Sequence, residues 1–359
     1  MRILHMIPDI GISNGVMSVI LNYFNAMPQD IKFDVVYFAR TEKTRQADIE
    51  ALGGRVFKIA PPSPKDLITG KMNAFFDEHL GEWSALHIHC PHFAVFIAPY
   101  AKKHDIKKIA VHCHSTWYSL SSKNNLRNKI LYRIAKNIPD KNFACGKDAG
   151  RFWYADDSKF TVLPNAIDCH KFRFDEGIRA RKRSEMAVDG QFVVGHVGRV
   201  YPPQKNHPFL LEIFSEIMKM KPNAVLMLVG ARENEELSLL AKELRIYDRV
   251  YFLENRNDVD ELFQTFDVFV FPSFSEGLPV SVIEAQAAGV PVLMADTITE
   301  ETVVLDNVKR LSLSVPAKEW AKSAVNLSAS LRRDTYDEMK KSGWDIYSNA
   351  QKLIDYYRN

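Results

Sequence analysis

The stretch VFVFPSFSEGLPVSVIEAQAAGVPVLMAD, residues 268–296, decides the fold class because it holds two apolar runs separated by a turn and a helical pattern. The runs VFVFPS and VPVLMAD are almost continuous in large apolar residues, as strands buried on both faces of a sheet require. Between them, the small residues of VSVIEAQAAG permit a helix to pack closely. A strand, a helix and a second strand in this order predict a parallel pair joined by a right-handed crossover.

The same alternation of short apolar runs and amphipathic segments extends over most of the chain. Segments such as FLLEIFSEIMKMK (209–221) and ENEELSLLAKELR (233–245) predict helices. The chain therefore has the α/β pattern of doubly wound, Rossmann-like parallel sheets. The other predicted strands are RILHMI (2–7), FDVVYFA (33–39), RVFKIA (55–60), ALHIHC (85–90), KIAVHCH (108–114), NFAC (142–145), FVVGHVGR (192–199), AVLMLVG (224–230) and VYFLE (250–254).

Two domains are expected because 359 residues exceed the length over which a single hydrophobic core usually forms. The strand pattern pauses once, in the polar and charged segment 162–190, which predicts the connection between them. We place a first domain over residues 1–168 and a second over 169–339, whose strand series begins near Gln191. The final segment, 337–359, has the aromatic stripe of one amphipathic, core-facing helix.

The composition is that of an ordinary soluble globular protein, with 46% hydrophobic and 25% charged residues. No apolar run approaches the ~20 residues of a transmembrane helix. The N-terminus also lacks a signal-peptide pattern, so we expect a cytoplasmic protein. The four cysteines form no CxxC pair, which argues against a zinc knuckle or a disulfide framework. Residues 85–139 contain nine lysines or arginines and one acid, Asp105, which indicates an anionic partner.

Charged residues follow the predicted strands, where ligands of doubly wound sheets bind. Arg199 ends the strand FVVGHVGR and Lys205 comes soon after, so the pair suits a diphosphate, although a solvated loop charge is the simpler alternative for the lysine. Glu276 and Glu284 bracket the start of the helix after VFVFPS, where they could bind sugar hydroxyls. Their simpler alternatives are a capping charge and a solvated helix residue. Gly15 opens a helix whose amides could face an anion, or it is an ordinary loop glycine.

The segment EGLPVSVIE (276–284) matches the E-x7-E signature of retaining glycosyltransferases, and the chain resembles glycosyltransferase family 4 over most of its length. The resemblance implies the GT-B fold, in which two Rossmann-like domains face a central cleft, with a C-terminal helix (about 340–359) packed back on the first domain. The chain departs from the family pattern at Asn14-Gly15, at Ala166 and in the segment ITEE (298–301). Other similar segments are SNGVMSVI (13–20), VHCH (111–114), VLPNAID (162–168), VGRVYPPQKN (197–206), FLENRNDV (252–259) and AAGVPVLMADT (287–297).

The resemblance also implies roles for individual residues. Arg199 and Lys205 would neutralise the donor diphosphate, Glu276 would contact the transferred sugar, and Glu284 would hold the nucleotide ribose. His114 would lie near the donor sugar and the acceptor, although a histidine on an apolar strand is more often structural. The predicted catalytic residues are thus His114, Arg199, Lys205 and Glu276, and the predicted donor-binding set is Gly15, Asn165, Gly198, Arg199, Lys205, Glu254, Arg256, Glu276, Gly277, Leu278, Pro279, Val280 and Glu284.

The resemblance implies a retaining glycosyltransferase, and the pair Arg199 and Lys205 together with the helix dipole predicts that it needs no metal ion. No cofactor is expected. The expected donor is a nucleotide-diphosphate sugar, UDP-hexose or UDP-N-acetylhexosamine. The expected acceptor is a glycan or a polyprenyl-diphosphate-linked saccharide in capsule or exopolysaccharide biosynthesis. A UDP-N-acetylhexosamine epimerase of similar fold and a non-catalytic sugar-nucleotide-binding protein remain as alternatives, whereas the absence of GxGxxG disfavours a nicotinamide dehydrogenase.

The segment SSKNNLRNKILYRIAKN (121–137) places Lys123, Arg127, Lys129, Arg133 and Lys136 among aliphatic residues. An ordinary surface helix is the simpler interpretation. The sharper hypothesis is peripheral docking on anionic lipid at the inner face of the cell membrane. The segment matches no nucleic-acid-binding motif, so no nucleic-acid partner is expected.

Overall fold

The computed structural model describes residues 1–12, 14–39, 43–65, 69–119, 122–200, 203–254 and 256–359. It divides the chain into two compact units, one formed by residues 1–166 and 346–359 and the other by residues 167–345. Ser13 of the predicted N-terminal loop, Ser121 of the basic segment and Asn255 beside Arg256 lie outside the described residues, as do residues 201–202.

The first unit contains, over its described residues, a seven-stranded sheet in which all neighbouring strands run parallel. Its order is β3-β2-β1-β4-β5-β6-β7, so the order in which strands are added reverses at β1. The strands are β1 (Arg2–Met6), β2 (Lys32–Tyr37), β3 (Val56–Lys58), β4 (Ala85–Ile88), β5 (Lys108–Cys113), β6 (Lys141–Ala144) and β7 (Thr161–Val162).

The two faces of this sheet differ in chemistry. One face packs Leu4, Leu86 and Ile109 into an apolar core with the helices Lys71–Glu78 and Ala94–Lys103. Because side chains alternate along a strand, His5 and His87 face the other way, where Tyr357 of the last helix contacts His87. The helices of this unit are Gly15–Asn25, Gln46–Ala51, Lys71–Glu78, Ala94–Lys103, Ser122–Ala135, Lys147–Tyr154 and Ile346–Arg358.

The second unit is built on a parallel sheet of six strands within its described part, in the order β10-β9-β8-β11-β12-β13. These strands are β8 (Phe192–Val197), β9 (Ala224–Val229), β10 (Val250–Leu253), β11 (Val268–Phe271), β12 (Val292–Ala295) and β13 (Val308–Leu311). The helices are Cys169–Phe172, Glu176–Glu185, His207–Met220, Glu235–Glu243, Val259–Thr265, Val280–Ala287, Ala317–Leu327 and Tyr336–Lys341.

Aromatic rings fill the core of the second unit. Phe263, Phe266, Phe269 and Phe271 are all completely buried. A Cβ atom at position 195 would lie 2.1 Å from the ring of Phe266, so Gly195 in β8 is required for the ring to lie on the strand. This close packing sets the relation between β8 and β11, the two strands that lead into the candidate site.

The structure confirms the α/β prediction of two Rossmann-like parallel-sheet units, and each predicted strand is present. Two edge strands, β7 and β13, were not predicted, since β7 has only two residues and β13 contains the charged pair Lys309 and Arg310. The polar segment 162–190 is not merely a connection, because it forms the helices Cys169–Phe172 and Glu176–Glu185.

The prediction of a single helix over 337–359 is wrong. Two helices, Tyr336–Lys341 and Ile346–Arg358, are separated at Gly343, whose φ of 84° ends the first. The first belongs to the second unit and the second packs in the first unit. In the part of the chain that the structure describes, none of the helices has the length and apolarity to cross a membrane.

Candidate active site

The predicted site residues of the second unit lie at the carboxyl ends of β8 and β11. These strands are neighbours at the point where the strand order reverses, which is the position where doubly wound sheets bind ligands. Gly198 and Arg199 follow β8, and Ser273 and Glu276 follow β11. The short 3-10 helix Pro203–Lys205 then brings Lys205 to the same edge.

Lys205 and Glu276 form an ion pair at this edge. The Lys205 Nζ atom lies 2.9 Å from Glu276 Oε1, and the two side chains are only 16% and 10% exposed. The Ser273 hydroxyl lies 2.7 Å from Glu276 Oε1, and Gln204 Nε2 lies 3.5 Å from both carboxylate oxygens. The carboxylate is therefore held in place before any sugar reaches it.

The ammonium group of Lys205 is positioned by two further features. It lies 4.5 Å from the centre of the Phe271 ring, within range of a cation–π interaction. A Cβ atom at position 198 would lie 3.0 Å from Lys205 Cε, so Gly198 leaves room for the lysine stem. An ammonium has three donor hydrogens, and two remain available for other acceptors when Glu276 accepts one.

Arg199 differs from Lys205. Its side chain is exposed, and it makes no hydrogen bond or ion pair with any residue that the structure describes. The two predicted cations thus reach the same strand end in different states, one held by a carboxylate and the other free to move.

The helix Val280–Ala287 continues the signature segment. Its N-cap position is Pro279, so Glu276 lies outside the helix and the simpler interpretation of Glu276 as a capping charge is wrong. Gly277 is half-buried, whereas Leu278 and Pro279 are buried, and Val280 is the first helical residue.

Glu284 lies one turn into this helix and is half-buried, so it is not the fully solvated residue of the simpler interpretation. Burial raises the pKa of its carboxyl to about 7, while Lys171 and Lys205 act in the opposite direction and Asp260 adds to the rise. Lys171 itself pairs with Asp260 at 3.2 Å. The group therefore titrates near neutral pH.

Two residues of the predicted donor-binding set, Glu254 and Arg256, lie after β10. Arg256 forms a two-pronged ion pair with Asp258, with Nε–Oδ1 and Nη2–Oδ2 distances of 2.8 and 2.6 Å. Lys182 also pairs with Asp258 at 2.6 Å, and these partners hold the pKa of that carboxyl well below its ordinary value. Glu254 is exposed and lies 3.6 Å from Arg232.

In the first unit, Gly15 begins the first helix and is exposed, and apart from its chain neighbours and its own helix backbone no atom lies within 4 Å of the position of a Cβ. Asn14 caps this helix, its Oδ1 accepting from the amides of Val16 and Met17 at 2.9 and 3.2 Å. The chain itself thus uses two of the amides that the sequence assigned to an anion.

His114 and Asn165, both predicted site residues, are hydrogen-bonded to each other. The His114 Nδ1 atom lies 3.1 Å from Asn165 Oδ1, and burial lowers the pKa of the imidazole to about 4. On its other side, His114 Nε2 lies 3.0 Å from His89 Nδ1, and His89 Nε2 lies 3.0 Å from His5 Nδ1. We call this hydrogen-bonded row of His5, His89, His114 and Asn165 the histidine ladder.

The ladder was missed in the sequence, although HIH (87–89) and HCH (112–114) carried the signal. Histidines two apart lie on one face of a strand, and neighbouring strands bring such pairs together. Nitrogens of His5, His87 and His89, and of His89, His112 and His114, lie within 4.8 Å of one another, close enough to share a metal ion. However, ring nitrogens of His5, His89 and His114 are already hydrogen-bonded to one another and would have to give up these bonds to bind a metal ion.

Comparison with known proteins places this geometry in a family. A family model described as glycosyl transferases group 1 matches residues 178–343, which include the Lys205–Glu276 pair and Glu284. A Bacillus subtilis (strain 168) protein assigned as the glycosyltransferase EpsF is 30% identical over 372 residues, covering 99% of this chain and 96% of that protein. The chain belongs to the group 1 glycosyltransferases.

Other relatives of this glycosyltransferase match over shorter segments. The Escherichia coli UDP-Gal:alpha-D-GlcNAc-diphosphoundecaprenol alpha-1,3-galactosyltransferase is 32% identical over 154 residues, covering 40% of this chain and 38% of that enzyme. The structure of Anabaena HepE in complex with UDP and glucose has a TM-score of 0.74 at 18% identity, covering 100% of this chain and 97% of the other. The structural likeness shows that the fold is that of a GT-B glycosyltransferase.

Proposed function

We propose that this glycosyltransferase retains anomeric configuration and transfers a hexose or N-acetylhexosamine from a UDP-sugar to a lipid-linked saccharide or glycan of a cell-surface polysaccharide. The observation that carries the proposal is the Lys205–Glu276 pair at the strand-order reversal, beside the E-x7-E helix. A largely buried cation and carboxylate in this position suit the two ends of a sugar diphosphate. The relatives' names supply the substrate class.

Lys205 and Arg199 would stabilise the departing diphosphate. Nucleotide departure places negative charge on the β-phosphate, and fixed cations in a water-poor site stabilise such charge with little reorganisation. Lys205 is already held beside Glu276, with two donor hydrogens to spare, and exposed Arg199 can close on the phosphate when it arrives. We propose that these residues do the work without a metal ion.

Glu276 would accept hydrogen bonds from hydroxyls of the transferred sugar, and Glu284 from the nucleotide ribose. The ionised Glu276 carboxylate retains acceptor capacity beyond its contacts with Ser273 and Lys205. Retention is supported by the galactosyltransferase relative, whose name gives an α-1,3 product from UDP-Gal. The sugar of UDP-Gal is α-linked, so that product keeps the donor's configuration.

Thermal unfolding with UDP, GDP and ADP, each with EDTA or Mg²⁺, tests the donor. A ligand at one hundred times its Kd adds ~2.7 kcal/mol of stability, which moves the midpoint of a domain of this size by a few degrees. We expect a shift with UDP that EDTA leaves unchanged. A shift with none of the nucleotides, or one that requires Mg²⁺, would contradict the proposal.

Product analysis separates the two alternatives. A transferase releases UDP in proportion to added acceptor, whereas an epimerase converts UDP-N-acetylhexosamine without acceptor and without net UDP release. A non-catalytic binder shows the thermal shift but neither reaction. Lipid-linked and free saccharide acceptors are to be compared in the same UDP-release assay, because relatives such as the Campylobacter jejuni N,N'-diacetylbacillosaminyl-diphospho-undecaprenol alpha-1,3-N-acetylgalactosaminyltransferase carry a lipid-linked acceptor in their names.

A peripheral membrane contact is favoured by the helix Ser122–Ala135. Leu126, Ile130 and Ile134 are 66%, 51% and 60% exposed and, being four residues apart, form one apolar stripe. Tyr132 and Ala135 anchor the opposite face in the first unit. A stripe of large aliphatic residues directed away from the protein suits insertion into the interfacial region of a bilayer.

Cations flank this stripe and would add attraction to anionic headgroups of roughly 1 kcal/mol each. We expect co-sedimentation with vesicles that contain phosphatidylglycerol, weakened by salt and lost when Leu126, Ile130 and Ile134 are all changed to Ser. Leu331→Ser is the matched control, because Leu331 is 93% exposed but lies in the second unit. Equal binding of the triple variant would refute the contact. The flanking exposed cations are Arg127, Lys129, Arg133 and Lys136.

A further inference from the structure

The histidine ladder has a chemical property that its members lack singly. Each link between two histidines is an N–H···N hydrogen bond, in which one imidazole donates and the next accepts. Burial lowers the pKa of His5 to about 3 and of His114 to about 4, and holds that of His89 well below its ordinary value. At neutral pH each ring therefore carries one hydrogen, and fixing the tautomer of one ring fixes the others.

The two ends of the ladder indicate the same direction of hydrogen-bond donation, from His5 towards Asn165. At one end, His5 Nε2 is buried and has no hydrogen-bond partner among the described residues. Buried N–H groups without a partner are rarer than unpaired acceptors, so the hydrogen of His5 lies on Nδ1. At the other end, Asn165 presents its Oδ1, an acceptor, to His114 Nδ1. Both ends thus place the hydrogen on Nδ1 of every ring.

We propose that His89 is a positioning residue of the glycosyl transfer, which acts by donating from its Nδ1 to His114 Nε2 and so, together with Asn165 on the other ring nitrogen, fixes the ring plane and tautomer of His114. The expected effect on kcat rests on the proposed function. The tautomer of His114 does not depend on it. The same arrangement restricts the role of His114 in the reaction. Both of its ring nitrogens are engaged, so the residue presents an oriented, neutral ring and does not exchange protons with the substrate.

Two variants of His89 differ in which of its two hydrogen bonds they keep, the one to His114 or the one to His5. The amide of asparagine reaches the position of an imidazole Nδ1, and that of glutamine reaches the position of Nε2. His89→Asn can therefore still donate to His114, whereas His89→Gln can contact only His5. We expect His89→Gln to lower kcat about tenfold with the KM for the donor nearly unchanged, and His89→Asn to stay within about threefold of wild type.

A variant that lacks the His114 side chain shows whether His89 acts through His114. In His114→Ala, the further change His89→Gln should alter kcat by less than about twofold, because the group that it positions is absent. Equal losses for His89→Asn and His89→Gln, or a full tenfold loss in the His114→Ala background, would show that His89 serves packing alone. Either result overturns the proposal.

A measurement on the unliganded protein separates the ladder from the transferase activity. With ¹⁵N-histidine labelling, the ring signals assigned to His114 by their loss in His114→Ala should show a protonated Nδ1 and a bare Nε2 in wild type. In His89→Gln the Nε2 signal should shift, because Nε2 loses its hydrogen-bond donor while Asn165 still accepts from Nδ1. A protonated Nε2 in wild type, or stoichiometric zinc in the purified protein by elemental analysis, refutes the ladder. Absence of UDP release with these ring signals intact would instead refute the proposed function.

Discussion

Glu284 gives a prediction in which the structure supplies the magnitude. Its carboxyl has a pKa of about 7 in the unliganded protein because burial disfavours the charge. If ribose hydroxyls donate to the carboxylate, only the ionised form binds well. The apparent Kd for UDP then scales with one plus the ratio of protonated to ionised carboxyl. Between pH 8 and pH 6 this factor rises about tenfold, for a group that titrates at pH ~7.

The assay is isothermal titration calorimetry with UDP at pH 6, 7 and 8 and constant ionic strength. The terminal phosphate of UDP also titrates, with a pKa of ~6, so the wild-type curve alone mixes the two ionisations. Glu284→Gln is the control, because an amide keeps the shape without the ionisation. We expect the ratio of Kd values at pH 6 and pH 8 to be about tenfold larger for wild type than for the variant. Parallel curves for the two proteins would refute the assignment of Glu284 to the ribose.

Three further predictions concern the Lys205–Glu276 edge and the histidine ladder. Lys205→Ala and Arg199→Ala should each lower kcat at least about a hundredfold in the UDP-release assay, since removing one group that stabilises developing charge costs ~3–4 kcal/mol; near-wild-type turnover in both would contradict the assignment. Gly198→Ala places a methyl 3.0 Å from Lys205 Cε and should lower kcat/KM about tenfold by displacing the lysine, without lowering Tm, whereas Gly177→Ala in the helix Glu176–Glu185 should leave kcat/KM unchanged. Urea unfolding from pH 6.5 down to 4.5 should show stability falling with pH, because His5, with a folded pKa of about 3, gains its proton only in the unfolded chain. His5→Phe should reduce that slope by ~1.4 kcal/mol per pH unit, and an unchanged slope would count against a neutral, buried His5.

The strands were predictable because their burial leaves a direct trace in the sequence. A strand covered on both faces must be apolar at every position, as AVLMLV in β9 is. An edge strand is under no such requirement, which is why Val308–Leu311, with Lys309 and Arg310 at its centre, escaped prediction. The break at Gly343 escaped because the apolar period continues on both sides of it, although the glycine itself was a usable stop signal.

The sequence allowed us to predict which residues belong to the site, but not which of them contact each other. Glu276 and Glu284 are marked by a local spacing, which a sequence displays. The pairing of Lys205 with Glu276 joins residues far apart in the chain and depends on where β8 and β11 end, which no local pattern encodes. The same holds for the raised pKa of Glu284, because it comes from burial, which depends on how the folded chain packs around the residue.

The return of the last helix to the first unit affects how the protein is made. Tyr357 is completely buried there, its hydroxyl lies 2.6 Å from His87 Nδ1, and Lys108 donates to its carbonyl oxygen at 2.9 Å. Residues 1–166 leave the ribosome before the second unit is made, yet residues 346–359, which pack on their histidine-bearing face, are synthesised after it. At ~5–20 residues per second, the intervening synthesis takes roughly ten to forty seconds. Throughout that interval the nascent first unit lacks the helix that buries His87, so its fold can be completed only after the whole second unit has been synthesised.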